Sequence, residues 1–561
     1  MPLHSRTAVD WVKRNAPLVL LAGALPVSVG VLLWLTRDLT FLQDTWDLLM
    51  NRRDPTVDSL LTPHNEHIVL IPTLLEQLLL RVFGMSDATP EYVLQSLVLA
   101  AAGALLFVYV RRRVGDWLAL FATLLLLFLG PAWEVLLWPF EIGFAGSVLF
   151  GLAMLLALER GDRRGDIAAC AFLLLSFGFS SVAIPFAAAA AVDVFQKRRS
   201  QGLVRAYVVL VPVALFGLWY LGWGSEAESH FALRNVMTSP RFVLDSVAVA
   251  AAGLVGLGES ALSGPVDPAW GRPLLVGLVL VLGYRFLRGR QIPPGFWPIA
   301  AAAATNWFLT AFNASAGRAP VSSRYQYMGA VLILLLLANL LQGERLSRRA
   351  LAIGAAVTAL ALSVNLILLR DGRDSLMIQS VYTQSDLAGI EIAKRTVAPD
   401  FWLDAVVAGT PTLVNVQADK YLAAVDEYGS PAYTPDELAA APDYGRKQAD
   451  IVLSQALPLA TLTRLGAFEP GGGGENCVAL PAGGATQGSG VRISPGLTRI
   501  ELAPGPRAEF SLRRFATGEF PVPTEGAPGN SVTELRAPRD GAPRYSWYLH
   551  VDASQPARVC R

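Results

Sequence analysis

The stretch FLQDTWDLLMNRRDPTVDSLLTPHNEH, residues 41–67, gathers four Asp, one Glu and two of the chain's five His into one polar segment. Two parts of it hold residue types that could do chemistry. As a helix, Leu42, Trp46 and Leu49 fall on one side at i, i+4 and i+7, while Asp44, Asp47 and Asn51 fall on the other. The apolar side can lie in a membrane interface, and the two carboxylates then point together into water or a cavity. There, one of them could take a proton from a hydroxyl. An ordinary interfacial helix with a solvated polar face has the same periodicity. In Thr62-Pro63-His64-Asn65-Glu66-His67, Thr62 suits an N-cap and Pro63 the first helical position. A helix predicted from there places His64 and His67 on one face at i, i+3, with Glu66 in the same turn. This is neither His-Glu-x-x-His nor a standard zinc spacing, so it argues for no permanent metal site. Loop histidines and asparagines that satisfy backbone groups are the plain alternative.

Further candidates lie elsewhere. Trp133-Glu134 and Trp138-Pro139-Phe140-Glu141 set two carboxylates among aromatics, which suit an interface belt. Glu141, at the mouth of an apolar run, is costly near hydrocarbon unless it lines a cavity. Glu226, Glu228 and His230 read as a solvated turn. In Ser322-Ser323-Arg324-Tyr325, Arg324 can snorkel to lipid headgroups or hold a phosphate with its forked donors, with Arg318 as a second cation.

These residues must be positioned by membrane elements. The chain is 53% hydrophobic and 16% charged, with mean hydropathy +0.43. Soluble domains carry about 25% charged residues, so the composition describes a polytopic α-helical membrane protein. A net charge of +1 gives no global field for nucleic acid. Apolar runs fall near 17–36, 92–110, 117–133, 142–158, 166–179, 180–195, 204–223, 273–288, 296–312, 325–343 and 349–369, which predicts about eleven spans. The first run is too long for a signal-peptide core and has no evident cleavage site, so it reads as retained.

Basic loops (Arg111–Arg113; Arg160, Arg163 and Arg164; Lys197–Arg199; Arg285, Arg288 and Arg290; Arg345, Arg348 and Arg349) alternate with loops that hold most acids, aromatics and histidines. The positive-inside bias assigns the basic set, and the N-terminus, to the cytoplasm. Alternation is kept if 242–258 is a re-entrant or interfacial segment. The reading is therefore a cytoplasmic segment 1–16, a transmembrane domain 17–370 with its first outer loop at 37–91, and an extracytoplasmic domain 371–561. That last domain is expected to be mixed α/β near 382–465 and β-sandwich-like beyond. Cys170 reads as packing, and Cys477 and Cys560 can pair if their region faces an oxidising compartment.

A first span followed at once by an acidic outward loop, many further spans and an outer C-terminal domain resembles the GT-C superfamily of integral-membrane glycosyltransferases. Within it, Asp44-Thr45-Trp46-Asp47 and Pro63-His64-Asn65-Glu66-His67 look like motifs of actinobacterial members. The resemblance covers roughly residues 15–370. It implies an inverting hexosyl or pentosyl transfer, from a polyprenyl-phosphate carrier to a cell-envelope glycan or glycolipid, at the outer face of a bacterial plasma membrane. Asp44 stands where relatives commonly carry Asp-Glu. Here Thr45 follows instead, so Asp47 or Asp38 is left as partner, and the base lies between Asp44 and Asp47. Arg324, with Arg318 or His67, would offset the leaving phosphate. His64, Asn65, Glu66, Glu141 and Tyr325 complete the expected substrate-binding set. Some relatives place a divalent cation between carboxylate and phosphate, and the sequence leaves that open.

A transporter or flippase of lipid-linked glycans is the main rival. It would be expected to carry charges within its spans or paired broken helices. Here Asp193 is the main intramembrane charge. An undecaprenyl-glycan ligase or polymerase would concentrate Arg and His in a late outer loop, and a mere anchor needs far fewer spans.

Overall fold

The computed structural model describes residues 15–227, 230–258, 260, 262, 271–287, 291–315, 317–344, 346–403, 406, 407, 410–465, 476–482, 490–493 and 495–560. Glu228, Arg288, Arg290, Arg345 and the four consecutive glycines 471–474 lie outside the described residues.

The chain divides into two compact units, one of residues 1–38, 52–79 and 89–376, the other of 39–51, 80–88 and 377–561. The division passes through the acidic segment itself. Asp44 and Asp47 belong with the C-terminal region, whereas His64–His67 belong with the helices.

In the helical unit, Ala16–Thr36, Thr89–Val114, Pro139–Leu158, Val204–Gly222 and Ser323–Leu340 are long and apolar enough to cross a membrane. The helix Arg348–Ala393, inside which the division between units falls, is a sixth. A seventh arises if Asp116–Leu127 and Gly130–Leu137, bent by 46°, count as one span. The expected eleven is not reproduced among the described residues. The runs near 166–179, 273–288 and 296–312 do form helices, Arg163–Phe179, Arg272–Leu287 and Phe296–Phe312, but these are only 16 or 17 residues long. A bilayer asks for about 20. The helix Ile184–Gln201 ends in a charged turn.

The segment 242–258, expected to be re-entrant or interfacial, is mainly helical. Most of it is the second half of a continuous helix, Leu233–Leu254, whose Asp245 accepts a hydrogen bond from Arg272 at 3.0 Å. The break in the bundle falls instead before Gly130. A Cβ on Gly130 would lie 2.5 Å from both the Asn365 carbonyl oxygen and Leu368 Cβ, so only glycine permits that approach.

Several basic loops meet at one end of this bundle. Arg112 and Arg113 pair with Glu159 at 2.7 and 2.6 Å, and Arg113 Nε donates to Asn339 at 3.0 Å. Arg205 forks onto buried Asp166, and Lys197 pairs with Asp193 at 2.7 Å. Asp193, the apparent intramembrane charge, lies mid-helix and is paired with Lys197 one turn later.

The second unit is mixed α/β and then all-β, as expected. After the hairpin strands Trp402–Leu403 and Val416–Gln417 come helices Ala418–Tyr428, Pro435–Ala440 and Asp443–Ala456. Thr434 and Glu437 form a reciprocal capping box on the second of these. Two antiparallel sheets follow. One orders Val522–Ala527, Ala508–Arg513, Trp547–Asp552 and Val491–Ile493; the other orders Ala460–Leu465, Ser531–Ala537, Gly496–Leu502, Ala557–Cys560 and Cys477–Leu480. Alternate residues of the longer strands are buried, the pattern of sheets with one face in a core. Cys477 and Cys560 are cross-strand partners joined by a disulfide. Buried Asp450 ties the helix Asp443–Ala456 to the sheets by accepting from the amides of Arg514, Phe515 and Ala516 at 2.8–3.0 Å.

Candidate functional site

The PHNEH segment is a turn rather than the expected helix. The helix ahead of it, Val57–Leu61, starts at a Thr56–Ser59 capping box, and Thr62 closes it instead of opening a new one. His64 and His67 then exchange both backbone hydrogen bonds, at 3.0 and 2.9 Å, across Asn65, whose φ of 50° is a left-handed conformation that asparagine tolerates well. The two imidazoles do share a face, but through β-type pairing. His64 meets the Phe140 ring edge-on at 5.0 Å and His67 meets Phe144 at 5.9 Å.

Groups that the sequence did not single out hold this turn. Buried Arg52 donates to the carbonyls of Thr62 and Pro63 at 2.6 and 3.0 Å, and Trp219 Nε1 donates to the Leu61 carbonyl at 2.7 Å. Ser181 Oγ donates to the Glu66 carbonyl at 3.3 Å.

Glu66 and His67 face a cavity of about 380 Å3 within the helical unit, also lined by Arg318 and Tyr325. This falls within the size range of small-molecule sites. The guanidinium of Arg318 forks onto both carboxylate oxygens of Glu66. Asn306, Thr310 and Asn313 add polar groups, and Phe144, Ile184, Phe216, Tyr220, Phe231, Leu309 and Met328 supply a long apolar wall. Asn306 and Asn313, amides in or just after an apolar run, were the sequence signal that could have disclosed this wall.

Burial works against the Glu66 carboxylate, but His67 and Arg318 outweigh it and hold the carboxyl below its ordinary value. Burial pushes the His67 imidazole down to about 4. The Glu66 charge opposes that shift and Arg318 adds to it. At neutral pH, His67 is therefore an uncharged imidazole, and its buried Nδ1 has no hydrogen-bond partner among the described residues. The cavity thus offers a guanidinium paired with a carboxylate, a neutral imidazole and apolar surface, a combination suited to an amphiphile with a polar head.

Four of the eight expected substrate-binding residues line this cavity: Glu66, His67, Arg318 and Tyr325. His64 and Asn65 shape the turn. Glu141, 2% exposed, sits at the N-terminus of the helix Ile142–Leu158, where the helix dipole favours an acid, and is not among the lining residues. Arg324 is not among them either. Its guanidinium approaches Glu134 at 3.5 Å, and Glu134 also accepts from its backbone amide at 3.0 Å. The cation facing the cavity is Arg318.

Asp44 and Asp47 lie in the other unit, on and just before the helix Thr45–Asn51. The expected shared wet face does not form, because Asp44 precedes the helix and Asp47 is buried, and the apolar side packs within the unit. Trp46 is fully buried between Phe41 and Tyr421, each 6.0 Å away ring to ring, and its Nε1 donates to the Phe41 carbonyl at 3.0 Å. Asp47 is buried too. Its Oδ1 accepts from Asn51 Nδ2 at 3.0 Å and from Asn415 Nδ2 at 3.1 Å. Asp44 is half-exposed. Asp38 belongs to the helical unit and pairs with Arg37 and Arg373 at 3.4 and 3.3 Å. Among the described residues, no three His, Cys, Asp or Glu side chains gather as a metal-ligand set.

Neither a protein-family profile nor a curated protein matches the chain. Among solved structures it is similar to the cryo-EM structure of the arabinosyltransferase EmbB from Mycobacterium smegmatis, with 13% identity and a TM-score of 0.33. The match covers 96% of this chain and 64% of that one. A likeness that distant sets neither fold nor activity.

Proposed function

We propose that the protein is an integral-membrane glycosyltransferase that moves a sugar from a polyprenyl-phosphate carrier to a cell-envelope glycan or glycolipid, with inversion at the anomeric carbon. The observation that carries this reading is the cavity of the helical unit, with Arg318 and neutral His67 beside apolar and aromatic surface. A polyprenyl phosphate has that division of properties. The GT-C resemblance of the Asp-Thr-Trp-Asp and Pro-His-Asn-Glu-His motifs points the same way.

In the proposed step, the acceptor hydroxyl oxygen bonds to the anomeric carbon while the bond from that carbon to the phosphate oxygen breaks. The hydroxyl proton passes to a carboxylate, and polyprenyl phosphate leaves with the electron pair. Arg318 and the His67 N–H offset its growing charge. The GT-C resemblance assigns the role of base to Asp44 or Asp47, and of these Asp44 is the half-exposed one. Asp47 is buried and held by two asparagine amides. The basic loops at one bundle end and the Cys477–Cys560 disulfide support a cytoplasmic basic end and an extracytoplasmic C-terminal region.

The test is transfer of radiolabelled sugar from polyprenyl-phosphate donors by purified protein in nanodiscs, across several sugars. Incorporation is expected, with loss in Asp44→Asn at unchanged expression and membrane insertion. Full activity in that variant would refute the base assignment. No incorporation from any donor, with uptake of lipid-linked glycan into vesicles, would instead make the protein a transporter or flippase.

A further inference from the structure

The helix Leu70–Phe83, which begins just after the His64–His67 turn, carries its polar residues on the side opposite to that of a soluble helix. Leu74 and Leu78, one turn apart, are exposed, while Thr73 and Gln77 are buried. Thr73, Glu76 and Gln77 are neighbours on the inward side, at i, i+3 and i+4. Gln77 has a structural task there, because its amide donates to the Arg52 carbonyl at 2.7 Å. Thr73 and Glu76 do not. The hydroxyl of Thr73, a residue 0% exposed, and Oε1 of Glu76 are buried atoms with no hydrogen-bond partner among the described residues.

The Glu76 carboxyl is hydrogen-bonded to that of Glu91, a buried residue in the first turn of the span Thr89–Val114. Among the described residues, neither carboxyl pairs with a Lys, Arg or His. Gln95 follows Glu91 by one turn on the same helix. Helical side chains lean towards the N-terminus, so the Gln95 amide lies over the turn that carries Glu91, and Glu76 over the turn that carries Thr73. Gln95 is 1% exposed, and its Nε2 donates to the Val135 carbonyl at 2.5 Å. Its Oε1, on the other side of that amide, has no partner among the described residues. All four residues belong to the helical unit.

Two buried carboxyls in hydrogen-bond contact cannot both be ionised unless a positive charge lies between them. A shared proton would serve the pair alone and leave Oε1 of Glu76 and Oε1 of Gln95 without a donor. A cation serves every oxygen at once. Carboxylate, hydroxyl and amide oxygens are the donor set of a hard ion, and two carboxylates balance a charge of two. Carboxylates that face the interior of a membrane bundle are retained where they hold ions. We infer that Glu76 and Glu91, with Thr73 Oγ1 and Gln95 Oε1, form a site for a hard divalent cation, Ca2+ or Mg2+, whose remaining positions are filled by water. Such an ion clamps the helix Leu70–Phe83 to the span Thr89–Val114. Asp44 and Asp47 belong to the other unit, so this ion is not one shared with them, and its binding requires nothing of the sugar transfer proposed above.

The experiment uses full-length protein in nanodiscs of zwitterionic lipid, stripped with chelator and titrated calorimetrically with CaCl2 or MgCl2. NaCl at matched ionic strength is the control for screening. At least one of the two divalent ions is expected to bind and to raise the unfolding temperature. Glu76→Gln and Glu91→Gln should each weaken binding by about tenfold or more, and Thr73→Val, nearly isosteric, by about three- to fivefold. No binding of either ion would overturn the inference and leave the pair holding a shared proton. Wild-type affinity in a folded Glu76→Gln or Glu91→Gln variant would overturn it too, because the ion would then sit elsewhere. If neither of those variants folds, wild-type affinity in Thr73→Val has the same force.

Discussion

Arg318 neutralises Glu66, and in the proposed function it also receives an anionic headgroup; a double-mutant cycle tells the two apart. The Arg318 and Glu66 side chains are 17% and 31% exposed, and the contact is two-pronged. A fully buried pair that loses one partner costs about 3–5 kcal/mol. With roughly a quarter of this pair in contact with solvent, about 2–3 kcal/mol is the reasonable figure for Arg318→Ala. If the same hydrogen bonds hold a phosphate, its dissociation constant rises by roughly 30- to 150-fold. Thermal unfolding and calorimetric binding of a short-chain polyprenyl phosphate, both in nanodiscs, give the two readouts. Glu66→Gln should release Arg318 from its carboxylate and tighten phosphate binding several-fold. The double variant Arg318→Ala with Glu66→Gln should recover most of the lost stability, since no buried carboxylate is left unpaired, while binding stays as weak as in Arg318→Ala. Wild-type phosphate affinity in the double variant would refute the reasoning and reduce Arg318 to a structural counter-ion. Weaker binding in Glu66→Gln alone would do the same for the assumption that Glu66 competes with the ligand.

Because burial holds His67 down to about 4 from an ordinary 6.5, the folded state resists protonation that the unfolded chain accepts. Its contribution to stability is complete above pH 6.5 and is lost as pH falls towards 4, at most about 3 kcal/mol; His67→Asn should flatten that limb of a stability–pH curve. Asp47→Asn should destabilise the protein by about 1–2 kcal/mol, because the amides of Asn51 and Asn415 both lose a charged acceptor. Asp44→Asn should abolish transfer, and retained transfer in Asp44→Asn with loss in Asp47→Asn would exchange the roles of the two aspartates. Removing the Cys477–Cys560 link, which joins positions 83 residues apart, with Cys477→Ser should cost about 4–5 kcal/mol in the chain-entropy account, seen as a lower unfolding temperature that reductant no longer changes.

Much of the architecture was legible because it follows from local composition. Apolar runs become helices whatever their neighbours, since a backbone that leaves water must satisfy its own hydrogen bonds. The alternating strands after residue 490 follow from side chains that must face a core on every second position. The number of spans was less legible, because 16 apolar residues and 20 look alike in sequence, while a bilayer distinguishes them. The turn at His64–His67 was misread for a related reason. Thr62-Pro63 has the chemistry of a helix start, but Arg52 and Trp219 draw the carbonyls of residues 61–63 into bonds a new helix would have oriented otherwise.

Residue types by themselves established that this chain holds many apolar helices, a β-rich C-terminal region and a polar segment with carboxylates and imidazoles worth testing. Tertiary structure decided which of them act together. It divided that segment between two units, gave Asp47 a partner 368 residues away in Asn415 and gave Glu66 one 252 residues away in Arg318. It also withdrew Arg324 and Glu141 from the cavity's lining. Periodicity reports which side of its own helix a residue occupies. Its partner and its exposure depend on segments hundreds of positions distant, and that information exists only once the chain has closed those loops.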